Sequence, residues 1–88
     1  MKQQFLRITK AHVLEAIKRL KAGEKTRWGS SKKFLLMHNG VGLPPKAVLG
    51  VAACIANGVE EWDLGDFSGG DHTNNVLRKL GFEVVARE

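Results

Sequence analysis

Between residues 25 and 33 the chain gathers side chains that could hold a phosphate backbone. Lys25, Arg27, Lys32 and Lys33 supply cations, Ser30 and Ser31 supply hydroxyl donors, Trp28 supplies a stacking face, and Gly29 admits close approach to the backbone. Phosphate contacts fix a protein on nucleic acid without reading its sequence, and an aromatic ring can stack on a base or sugar. The same composition also describes a solvated loop with Trp28 folded back onto a core. It does not separate DNA from RNA.

A second candidate is Leu43-Pro44-Pro45-Lys46. Pro45 suits the first turn of a helix, where the missing N–H costs nothing. That turn has unpaired N–H groups and a partial positive charge. With no Ser, Thr, Asp or Asn at its start, and with Lys46 set against the dipole, a phosphate would satisfy both features. The alternative is that Lys46 extends into water. The third candidate is Phe67-Ser68-Gly69-Gly70-Asp71-His72-Thr73-Asn74-Asn75. Glycines before a helix can form an anion nest, so Ser68, Gly69, Gly70 and Asn74 are possible loop contacts. The segment lacks the Gly-Lys-Ser/Thr of a P-loop. A tight turn and cap, with Asn74 or Asn75 bonded to a neighbouring loop, is the structural reading of the same residues.

Catalytic and metal chemistry find no footing. His12, His38 and His72 are scattered, with no second ligand at zinc spacing. Cys54 sits among alanines, where a thiol is usually packing. Glu60, Glu61 and Asp63 could approach magnesium, but three acids in a loop are more often simply solvated. Neither a nucleophile–base pair nor a metal set can be assembled, and no cofactor or metal is expected.

These segments need elements to position them. Thr9 can cap a helix running to about Ala22, with Val13, Ile17 and Leu20 on one face, Leu14 beside it and Gly23 as its stop. Lys10, Lys18 and Lys21 lie off that face, and Glu15 can pair with Arg19. Phe34 to His38 reads as a strand, Asn39-Gly40 as a two-residue hairpin turn, and Val41 to Leu43 as the return. From Lys46 to Asn57 the chain is small and apolar on nearly every side, which predicts a buried central helix. Gly50 within it implies close approach of a neighbouring backbone, and Gly58 closes it. An acidic loop with Trp62 and Phe67 follows. A third helix is expected from about Asp71, as N-cap, to Leu80, with Val76, Leu77 and Leu80 inward. Gly81 ends it, and Phe82 to Val85 forms a last strand. The order α-β-β-α-α-β predicts a small α+β domain with a short, mostly antiparallel sheet packed on helices.

Eighty-eight residues make a single domain, 1–88, with a thin core. No apolar run reaches the ~20 residues of a membrane span, no signal-peptide core follows Met1, and one cysteine permits no internal disulfide. A reducing cytoplasm is the expected compartment. Charge is unevenly spread. Residues 1–50 carry eleven Lys/Arg against Glu15 and Glu24, whereas residues 51–88 carry three against seven acids. A basic half of this kind suits a polyanion, most commonly nucleic acid.

The chain also carries an ordered set of short motifs: Ser30-Ser31, Phe34-Leu35-Leu36, Asn39-Gly40, Pro44-Pro45-Lys46-Ala47-Val48, Phe67-Ser68-Gly69-Gly70, Asn74 and Leu80-Gly81-Phe82. In order and spacing they resemble the N-terminal accessory or head domain of McrA-like and McrB-like modification-dependent restriction proteins. The basic loop and first helix extend the resemblance over nearly the whole chain. Leu43 stands where an aromatic residue usually precedes Pro-Pro-Lys. The resemblance implies a non-catalytic module of a restriction or phage-defence system that contacts duplex DNA, joined to or assisting a nuclease or motor subunit. Lys25, Arg27, Lys32, Lys33 and Lys46 would then meet phosphates while Trp28 stacks. The rival expectation is a protein-interaction adaptor working through the Glu60-Glu61-Trp62-Asp63 loop.

Overall fold

Helix α1, Lys10–Lys21, begins where Thr9 leaves the extended region (φ −115°, ψ 170°). In the computed structural model, which describes residues 8–24, 26, 28, 34–60 and 71–86, both ends of this helix are closed locally. The His12 amide donates to Thr9 Oγ1 at 3.5 Å, and the Thr9 amide donates to His12 Nδ1 at 3.0 Å. This is a capping box with histidine in the place usually taken by Glu or Gln, and it gives His12 a structural task. At the other end Gly23 takes φ +94°, its N–H meets the Leu20 carbonyl, and the Glu24 N–H meets that of Arg19. This is a Schellman closure, which needs a residue that tolerates the left-handed region. Val13 and Ile17 are buried, as the periodicity predicts, with Ala16 buried between them and Leu20 half-buried, and Glu15 pairs with Arg19 at 3.5 Å.

Strands β1 (Phe34–His38) and β2 (Val41–Leu43) form the expected hairpin. Asn39 (φ +51°) and Gly40 (φ +80°) make the tight turn whose twist matches the strands. After α2 (Pro45–Asn57) and α3 (Asp71–Lys79), strand β3 (Glu83–Ala86) returns antiparallel to β1, giving the sheet order β2-β1-β3. Phe82, expected to open the last strand, instead completes the end of α3: its N–H donates to the Leu77 carbonyl beside Gly81. Asp71, expected as the N-cap, is the first helical residue. The protein is thus a small α+β domain in the predicted order.

Helix α2 is the centre of the packing, touching α1, α3 and β1. Its residues from Ala47 to Ala53 are all buried, and they meet Val13 and Ile17 of α1, Leu36 of β1, Leu77 of α3 and Val84 of β3 in one core. Gly50 has a different neighbour from the one expected. A Cβ built there would lie 2.6 Å or less from three atoms of the six-membered ring of Trp28. The close approach is made by an indole, not by a second backbone.

Candidate nucleic-acid interface

Of the residues singled out between 25 and 33, Trp28 is described. Lys25, Arg27, Ser30, Ser31, Lys32 and Lys33 lie outside the described residues, as do Ser68, Gly69, Gly70, Glu61, Trp62 and Asp63. Trp28 is half-buried against the core, and its amide donates to Thr26 Oγ1 at 3.3 Å. Its ring covers the gap left by the missing side chain at Gly50. Indole and glycine therefore fit as a pair, and Trp28 ties the start of the basic segment to the middle of α2.

Lys46 sits at the second position of α2, half-buried, and it interacts elsewhere within the chain. The helix start matches expectation: Pro44 is the N-cap residue and supplies no side-chain cap, and no acid lies in the first turn. Asn74 differs. It is 1% exposed, and neither Nδ2 nor Oδ1 has a hydrogen-bond partner. Its position on the inward face with Leu77 takes its amide away from solvent, whereas Asn75 is the exposed one of the pair. In this arrangement the Asn74 side chain is turned into the protein rather than presented at the surface. Helical spacing explains the placement: Asn74 precedes Leu77 by three residues and so shares its face.

A further set of cations, placed off the core face of α1 by its periodicity, was given no binding task by the sequence. Lys10, Lys18 and Lys21 of α1 are all exposed, with Leu14 (41% exposed) between them. They form one flank of the helix, and the Glu15–Arg19 pair lies on another. Lys21 Nζ approaches His38 Nδ1 of β1 at 3.2 Å. The His38 ring lies 6.4 Å from that of Phe82, and Lys10 Nζ reaches the neighbouring Gly81, 3.9 Å from where its Cβ would stand. The last turn of α3 adds Arg78 and Lys79, with Arg78 donating to the Val84 carbonyl at 2.8 Å. The signal was available as the 10, 14, 18, 21 spacing; what it lacked was the identity of the surface beneath.

A cleft of about 520 Å³ opens between the C-terminal ends of α1 and α2, with Val51, Cys54 and Ile55 on its apolar side and Arg19, Glu24 and Glu60 at its charged rim. Cys54 is a thiol there. Among the described residues no three His, Cys, Asp or Glu side chains are grouped to hold a metal ion, and no helix is long and apolar enough to cross a membrane.

Residues 6–86 match a family model described as "ScoMcrA-like, N-terminal head domain". No curated protein and no solved structure is significantly similar to the chain.

Proposed function

We propose a DNA-docking role from one premise: the chain belongs to the ScoMcrA-like N-terminal head-domain family, and is the head of an McrA-like, type IV restriction protein rather than its catalytic module. The McrA-like half of the resemblance is the half this match supports. In our reading the head lends nonspecific affinity for duplex DNA to a nuclease or motor partner. The observation that carries it is the charge division, eleven cations against two acids over residues 1–50. Such a division supplies the counterion-release term that dominates protein–DNA affinity.

Lys25, Arg27, Lys32 and Lys33 meet phosphates, with Ser30 and Ser31 as neutral donors. Lys46 adds a cation beside the uncapped first turn of α2, where a phosphate oxygen also finds backbone N–H groups. Trp28 anchors this segment through its contact with Gly50 and keeps its remaining surface for stacking. Ser68, Gly69 and Gly70 stay as secondary loop contacts. A titration of modified and unmodified duplexes across a salt series tests the proposal. With four or five cations engaged, log affinity falls against log salt with a slope of roughly −4. A salt-insensitive affinity, or none at low salt, would end the reading.

A further inference from the structure

We propose that Lys21 and His38 form a phosphate clamp for the nucleic-acid backbone, and that His38 takes up a proton as the phosphate binds. This rests on the DNA-docking reading and adds to it a second contact, where the end of α1 meets the end of β1.

The geometry starts with the 3.2 Å approach of Lys21 Nζ to His38 Nδ1. An ammonium has three donors and no acceptor, so the histidine nitrogen must offer its lone pair. In that arrangement Nδ1 carries no proton. A phosphate oxygen arriving at the pair changes which arrangement is favoured. Lys21 turns its donors to the anion, and a protonated Nδ1 becomes a second donor to the same group. Two charge-assisted hydrogen bonds then replace one contact between two nitrogens. The proton comes from solvent, and the bound phosphate offsets the charge it adds.

The surroundings favour an anion over a protein partner. Lys10, Leu14, Lys18 and Lys21 fall within about 80° of helical arc, and all four are exposed. The acid of this helix, Glu15, is drawn to Arg19. From the elements packed around His38, α1 presents Lys21, and β2 presents Val41 directly opposite. The approach to β3 presents the Phe82 ring, with Lys10 Nζ beyond it at Gly81. β3 itself presents Glu83, paired with Met37 one register position away and exposed. Lys21 is the cation in contact with the ring, Lys10 stands beyond Phe82, and Glu83, opposite Met37, belongs to the other face of the sheet. With Lys10 and Lys18 exposed on the same flank of α1, the Lys21–His38 pair is one point on a cationic face, which suits a polymer of phosphates better than a single small anion.

The test is binding of the full chain to a labelled duplex at fixed ionic strength between pH 5 and 8, where imidazole changes charge. Because the bound state holds one more proton, affinity falls as pH rises, by up to about tenfold per pH unit for one linked proton. His38→Gln is expected to abolish this dependence, which distinguishes His38 from His12 and His72. Lys21→Gln is expected to lower the salt slope by about 0.9, the share of one phosphate contact. Lys32→Glu with Lys33→Glu is expected to weaken binding while leaving the pH dependence in place. Retention of the wild-type pH profile by His38→Gln, or an unchanged salt slope in Lys21→Gln, overturns the clamp while the docking role stands. Failure of every form to bind at low salt overturns both. Should His38→Gln not fold, as judged by its melting curve, the pH profile of Lys21→Gln decides: a full wild-type profile there also overturns the clamp.

Discussion

Helices α1 and α2 are of similar length, 12 and 13 residues, and are held by opposite means. α1 is secured by local chemistry: a capping box, an i,i+4 ion pair, cations in its last turn and a Schellman closure. α2 has few of these. Its first turn lacks a side-chain cap, Lys46 opposes the dipole, its last turn has no basic residue, and Gly50 interrupts it. A mid-helix glycine alone costs about 1 kcal/mol against alanine. α2 is helical because its neighbours bury it: seven consecutive residues from Ala47 are inside the core. The lesson is a division of labour. The helix that stands at the surface carries its own stability and can spend its outer face on charge. The helix that organises the core borrows its stability and leaves its N-terminus open.

Mutations can break that contrast. The largest loss is expected at Leu49→Ala, since Leu49 is fully buried. Truncating such a residue costs about 2–5 kcal/mol, readable as a fall in urea midpoint; a loss below about 1 kcal/mol would show that burial does not hold α2. Next comes Gly50→Leu, about 1–3 kcal/mol through overpacking. Its cost is expected to shrink in a Trp28→Ala background, because the obstacle is the indole. An equal loss in both backgrounds would mean that some other neighbour limits the site. For α1 the cap is the sensitive point, and Thr9→Ala is expected to cost about 1 kcal/mol. A second substitution, His12→Ala, is expected to add less on top of Thr9→Ala than it costs alone, since the two residues share one capping box.

Lys46→Ala sharpens the contrast from the other side with the smallest expected change in stability. Removing a cation from a positive helix end gains a few tenths of a kcal/mol, and loss of the residue's contact within the chain opposes that gain. The melting temperature is therefore expected to move little. The same variant is expected to lower the salt slope of DNA binding by about 0.9. A clear stability loss with unchanged binding would make Lys46 a structural residue and leave the open start of α2 without a ligand.

What the sequence by itself determined follows from signals acting over a few residues. Asn39-Gly40 dictates the hairpin because its backbone angles are sterically open to those residues, and Thr9 with Gly23 bounds α1 because caps and left-handed closures are local. The unbroken small apolar run of α2 announces burial, and the charge division announces a polyanion. Tertiary structure alone decided which groups meet. Gly50 signals a close neighbour, but the ring of Trp28, 22 positions earlier, meets it only through tertiary packing. Asn74 has the composition of a surface residue, and its burial follows from the side of α3 that faces the core. Lys21 and His38 are 17 residues apart, one read as a solvated helix cation and the other as a strand end, and they become a pair because the end of α1 meets the end of β1. Local rules reach three or four residues along the chain. A site assembled from separate elements depends on the packing between them, and that is set by the shape of the whole core.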